Sequence, residues 1–223
     1  MTKPLSPDLE TADSELSDVE SKALLATPMQ LIQGVWDAYG DRSCVLSSMQ
    51  DAVLIELAMR VSNDFPIVFL DTGYHFDATW DTVRSVEEHY GINVEVVGPL
   101  RTPVVDVVSG ECCVDKPALL DVALKNRDAW ISGLQREQTD TRTSASLVEK
   151  DRRGLTKVNP IAQWSHSDRT DFIEHADVIV NPLVADGYGS IGCEPCTSKS
   201  IASINPRSGR WADSDKTECG IHL

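Results

Sequence analysis

The sequence predicts an α/β protein built on a mainly parallel sheet with helices on both faces. Three observations carry this. Strand-like and helix-like stretches alternate from about residue 28 onward. Two neighbouring strand-like runs end in short polar turns, as strands do where a parallel sheet binds a ligand at its carboxyl edge. The length of 223 residues and the 41% hydrophobic content suit one such domain with tails.

Taken in order, residues 43–46 form a short apolar strand, with Cys44 as a small buried hydrophobe. Ser47-Ser48-Met49-Gln50-Asp51 follows and leads into a helix over 52–60. Ser and Asp favour helix N-termini, whose free N–H groups face anions. Residues 66–70 read as a buried strand ending in Asp71-Thr72-Gly73. A helix over 77–90 stops at Gly91, a strand covers 92–97, and another covers 129–134. Residues 197–223, with Pro206, Gly209 and Gly220, read as an irregular C-terminal segment. Neither a Walker loop nor a G-x-G-x-x-G follows the first strand, so any nucleotide is held by another device.

The net charge of -15, from 20 Lys+Arg and 35 Asp+Glu, makes the chain a poor binder of nucleic acid. No apolar run reaches the roughly 20 residues of a membrane span, and the start lacks a signal-peptide layout. These features predict a cytoplasmic protein. Residues 1–27 read as an acidic, disordered N-terminal tail; residues 28–196 as the α/β domain; residues 197–223 as a C-terminal tail. Two stretches, 136–157 and 197–216, run weakly basic against this background and point to a local anion site.

The six cysteines are of different kinds. Cys112 and Cys113 are adjacent, and Cys193 and Cys196 form a C-x-x-C pair. Two tight pairs in a cytosolic chain suit a metal centre, either an iron–sulfur cluster or a four-cysteine zinc site. Adjacent cysteines are awkward on one zinc ion and natural on two irons of a cluster. Cys219 stands apart in Glu218-Cys219-Gly220-Ile221-His222, where a thiol near a His is a candidate nucleophile.

Together these motifs resemble the iron–sulfur type of assimilatory adenylylsulfate (APS) reductase, within the phosphoadenylylsulfate (PAPS) reductase family. The resemblance covers nearly all of residues 28–223. Cys193-Glu194-Pro195-Cys196-Thr197 is similar to the family's second cluster motif, and Glu218 to His222 to its catalytic motif. Leu70 to Phe76 is similar to its second-strand motif, and Ser47 to Asp51 to its modified pyrophosphate loop. The resemblance implies a doubly wound, adenine-nucleotide alpha-hydrolase-like fold with a mobile C-terminal tail. It implies a [4Fe-4S] cluster on Cys112, Cys113, Cys193 and Cys196. Cys219, with His222 beside it, would attack the sulfur of adenylylsulfate and release AMP; thioredoxin or a glutaredoxin-like dithiol would then release sulfite. Ser47, Ser48, Asp51, Asp71, Thr72, Gly73, Lys116, Arg136, Arg142, Arg207 and Arg210 are the expected substrate-binding residues, the cations because a phosphosulfate needs bidentate and point charges. Two features depart from the family pattern: the segment from Cys113 to Lys116 is one residue short and lacks an Arg, and Gln135 replaces a usual Arg.

Other readings differ in what they predict. Reduction of PAPS, alone or alongside APS, needs the same nucleophile. A pyrophosphate-loop tRNA thiolase needs a glycine-rich loop that Ser47 to Asp51 lacks. A zinc-stabilised binding module leaves Cys219 without a task. A homo-oligomer is compatible with the sequence.

Overall fold

The computed structural model describes residues 27–100, 116–200, 206–212, 216 and 218–221. Cys112, Cys113, His222 and all of the acidic tail except Thr27 therefore lie outside the described residues.

The chain opens with α1 (Pro28–Tyr39), which begins on a capping box: the Thr27 side chain accepts from Gln30 N, and the Gln30 side chain accepts from Thr27 N. Ile32 and Val35, three residues apart, bury its inner face. Then follow β1 (Ser43–Ser47), α2 (Val53–Met59), β2 (Ile67–Leu70), α3 (Asp77–Tyr90), β3 (Val94–Val97), α4 (Lys116–Ala123), β4 (Ala129–Ser132), β5 (Val148–Lys150), β6 (Thr156–Val158) and α5 (His166–Ala176). The alternation read from the sequence is present through β4. Gly91 ends α3 in the left-handed conformation, with its N–H bonded to Glu87 O.

The six strands run in the order β3-β2-β1-β4-β6-β5. All pair in parallel except β5, which is antiparallel to β6. The β5–β6 hairpin was not legible in the sequence as a strand pair. It turns on Asp151, whose Oδ1 accepts from Arg153 N and Leu155 N, and on Gly154 at φ 78°.

Period-two alternation explains the two cores. Val45, Ile67, Phe69, Ala129 and Ile131 pack with α1, α2 and α3 on one face. Cys44, Val68, Leu70 and Trp130 face α4 on the other. Burial pushes the Cys44 thiol up to about 12, in keeping with its reading as a core residue. Among the described residues, no helix is long and apolar enough to cross a membrane.

From β1 the chain moves outward to β2 and β3 and then returns to β4 on the other side of β1. The carboxyl ends of β1 and β4 thus flank the switch point, where open α/β sheets leave a crevice.

Candidate active site

A cavity of about 190 Å³ opens at that switch point. Leu46, Ser47 and Ser48 line it from β1, and Ser132, Gly133 and Leu134 from β4. Asp51 joins them from the loop after β1, and Gln135, Gln138 and Arg142 from the segment after β4.

The β1 loop is held by its own polar atoms. Ser47 Oγ accepts from Met49 N, and Met49 turns at φ 57°. The Gln50 side chain bridges to a distant segment: Nε2 donates to Gly189 O at 3.4 Å, and Oε1 accepts from Ile191 N at 3.0 Å. Asp51 Oδ1 accepts from Val53 N at 3.0 Å, and Asp51 Oδ2 pairs with Arg169 of α5. The sequence offered Ser and Asp as helix N-terminal residues; Ser47 and Ser48 do not open the helix, since α2 begins at Val53, and it is Asp51 Oδ1 that accepts from the first helical N–H, that of Val53.

The turn after β2 serves a different neighbour. Asp71 Oδ1 accepts from Gly73 N at 2.7 Å, and Gly73 sits at φ 78°. Thr72 Oγ1 lies 3.1 Å from Cys193 Sγ. Tyr74 O accepts from Glu194 N, and His75 bridges to Cys193. Asp71, Thr72 and Gly73 are absent from the cavity lining; they build the bed on which the C-x-x-C segment lies.

Cys193 and Cys196 are 0% and 2% exposed and pack with Trp211, Tyr74 and Cys219. A 3-10 turn, Glu194–Cys196, separates the two thiols, and Cys196 N bonds Cys193 O. His75 beside them is held down to about 4 by burial, then by the charge of Lys116, so it is neutral at pH 7. Its Nε2 faces Leu70 O at 3.0 Å.

The cations converge from four separate parts of the chain. Lys116 opens α4 and is 9% exposed. Arg210 lies over the Trp211 ring at 4.4 Å and over Gly192, where an added Cβ would come within 2.5 Å of Arg210 Cζ. Burial, and then the nearby charge of Arg142, lowers Arg207 to about 10, which still leaves it charged at neutral pH. Arg169 is likewise lowered to about 10 by burial. Among the described residues, Lys116, Arg142, Arg169, Arg207 and Arg210 line the cavity, against one lining carboxylate, Asp51. A chain of net charge -15 has its sign reversed here.

Cys219 lines the same cavity, half-buried, and touches the Cys193–Cys196 group on its other side. Glu218 before it is 8% exposed, and Ile221 after it packs on the core under α4. Within the segment expected to be an irregular tail, the described residues 206–212 and 218–221 include Arg207, Arg210, Trp211, Cys219 and Ile221 of the cavity lining, and Thr197 bridges Arg210.

Arg136 stands apart from the other expected cations. Its Nε donates to Ala145 O at 2.8 Å and it does not line the cavity. It lies on the 3-10 turn Arg136–Gln138. Sequence reading in turn missed Arg169, Gln50 and the pairing of Arg142 with Glu218. Only Arg169 had a local signal: Ser165 and Asp168 form a capping box that marks the start of its helix.

The described residues hold no group of three or more His, Cys, Asp or Glu suited to a metal ion. Of the expected ligands they supply two buried thiols, Cys193 and Cys196, and the other two, Cys112 and Cys113, lie just before Lys116 in the chain.

Comparisons with known proteins identify the family. Residues 43–199 match the phosphoadenosine phosphosulfate reductase domain. The chain is 41% identical to an adenosine 5'-phosphosulfate reductase of Mycolicibacterium smegmatis, covering 96% of this chain and 93% of that one. It is 40% identical to the enzyme of the same name from Rhodococcus erythropolis, over 95% and 96%. Among solved structures, a phosphoadenylyl-sulfate (PAPS) reductase from Candida auris superposes with a TM-score of 0.66 at 17% identity, covering 87% of this chain and 98% of that one. A Candida glabrata FMN adenylyltransferase gives 0.60 at 12%, over 85% and 67%. The structural likenesses establish the shared adenine-nucleotide alpha-hydrolase-like fold. The matched domain runs from β1 through the C-x-x-C turn, and the full-length relatives extend the match across most of the chain, so the protein belongs to the phosphoadenosine phosphosulfate reductase family.

Proposed function

We propose that the protein reduces adenylylsulfate to sulfite and AMP in assimilatory sulfate reduction, with Cys219 as the nucleophile and a thioredoxin or glutaredoxin-like dithiol as reductant. The observation that carries this is the position of Cys219 in the wall of a cation-lined cavity at the β1/β4 switch point. The names of the relatives at about 40% identity support the choice of substrate.

The chemistry follows from the residues. Lys116, Arg207 and Arg210 neutralise the phosphate and sulfuryl oxygens, which would otherwise repel a thiolate. The Cys219 thiolate attacks the sulfuryl sulfur: an S–S bond forms, the S–O bond to phosphate breaks, and its electron pair leaves with AMP. A dithiol then attacks Cys219 Sγ and expels sulfite; its second thiol closes a disulfide, and Cys219 returns as a thiolate. Two electrons pass from the dithiol to the sulfuryl sulfur.

The donor chemistry of the cysteines fits a four-iron, four-sulfur cluster, since such clusters take thiolates. Cys193 and Cys196 are buried; Glu194 N between them donates to Tyr74 O, and Cys196 O accepts from Trp211 N. Cys112, Cys113, Cys193 and Cys196 would hold it. When bound, it would supply polarisable charge without net redox change.

The test is intact mass spectrometry of cluster-replete protein mixed with adenylylsulfate and no reductant. The expected result is a sulfonate adduct on Cys219. An adduct elsewhere, or none, overturns the mechanism. Turnover on adenylylsulfate against its 3'-phosphorylated form settles the substrate.

A further inference from the structure

Arg142 was expected to grip the substrate, yet its fork is already filled. Nε donates to Glu218 Oε1 at 2.7 Å and Nη2 donates to Glu218 Oε2 at 2.6 Å. Arg142 Nη1 donates to Gln138 Oε1. Thr139 Oγ1 and Thr141 Oγ1 donate to Glu218 Oε1 at 3.2 and 3.4 Å. Arg207 Nη2 stands 3.7 Å from Glu218 Oε2. The Arg142 and Glu218 side chains are 8% and 7% exposed.

A bidentate pair this well buried has strict geometry, and removing one partner leaves an uncompensated charge. The group so fixed is the residue directly before the cavity thiol. The receiving groups lie on the 3-10 turn Asp140–Arg142 and just before it, in the segment that follows β4.

We propose that Glu218 is the positioning residue for Cys219: its carboxylate, clamped by Arg142, Thr139 and Thr141, seats the thiol at the cavity wall. This rests on Cys219 being the nucleophile. The clamp also withdraws the Arg142 fork from ground-state anion binding. Its loss therefore has a particular signature: the chemical step slows, while nucleotide binding does not weaken. Damage to the cavity as a whole would lower both.

The experiment compares wild type with Glu218→Ala and Glu218→Gln as holoenzymes. Single-turnover sulfonation by adenylylsulfate is followed by mass, AMP binding by calorimetry, and Cys219 exposure by its rate of alkylation with iodoacetamide. We expect Glu218→Ala to slow sulfonation roughly 100-fold, the scale of a 1 Å misplacement. AMP affinity should hold or tighten, and Cys219 alkylation should rise severalfold. Glu218→Gln, which keeps the shape and part of the hydrogen bonding, should recover part of the rate. Sulfonation at the wild-type rate in Glu218→Ala overturns the proposal, as does a parallel loss of AMP affinity. If wild type itself forms no Cys219 adduct, the nucleophile reading falls instead, and alkylation alone judges the clamp: an unchanged rate overturns it. Should Glu218→Ala not fold, the Thr139→Val, Thr141→Val double variant keeps the Arg142 fork and is expected to show the same split in weaker form. Unaltered sulfonation and alkylation there overturn the proposal.

Discussion

Gly192 carries no side chain because the Arg210 guanidinium occupies the space where one would stand. The Gly192→Ala variant should displace Arg210 from the cavity and raise the KM for adenylylsulfate roughly tenfold, equivalent to about 1.4 kcal/mol of lost anion binding. Because the clash is with a side-chain end, unfolding in urea should change little; a fall in stability without a rise in KM would contradict this reading. Cys44 offers a pH test. Its folded-state value is raised, so the stability it contributes is complete below the unfolded thiol range near 9 and is lost as pH climbs towards 12. Wild type should lose unfolding free energy across that window more steeply than Cys44→Ala, as read from denaturant midpoints at stepped pH. Equal slopes would mean that the thiol is not buried in solution. Cys44 was legible from its apolar neighbours. The role of Gly192 was not, because its partner lies 18 positions away along the chain.

At the scale of elements, the loop between β1 and α2 is the piece that ties the cavity together. It is anchored to the 189–191 segment by Gln50 and to α5 by the Asp51–Arg169 pair. Gln50→Ala leaves the N–H of buried Ile191 without its acceptor. Such a loss costs about 1–3 kcal/mol, to be read as a lower urea midpoint with an unchanged slope. A cost near zero would show that water replaces the bond. The strands and α3 were readable because period and stop residues are local signals: Gly91 ends α3 as the sequence predicts. The β5–β6 hairpin was not, since strands of three residues carry too little alternation to register. Arg136 shows the same limit. It lies in the expected basic stretch, but its guanidinium bonds Ala145 O and does not line the cavity.

At the scale of the whole molecule, a chain of net charge -15 gathers five cations at one crevice among the described residues. On the proposed function, ligand attraction there is electrostatic, and salt at about 1 M shortens the screening length to about 3 Å. Raising salt from low to high should therefore lift the KM for adenylylsulfate by roughly threefold or more, with kcat for the buried chemical step nearly constant. A KM independent of salt would argue against charge as the source of binding.

What the sequence determined alone was whatever depends on local spacing: the alternation that makes a mainly parallel sheet, the C-x-x-C pair, the thiol next to Glu218, and the uneven charge. What the tertiary structure decided was which of these meet. It assigned Asp71 and Thr72 to the cysteine bed, brought in Arg169 from α5, and gave the Arg142 fork to Glu218. The reason is physical. A strand or helix is specified by neighbours in the chain, whereas a buried charge is specified by whatever compensates it, and that partner can come from anywhere the fold brings close.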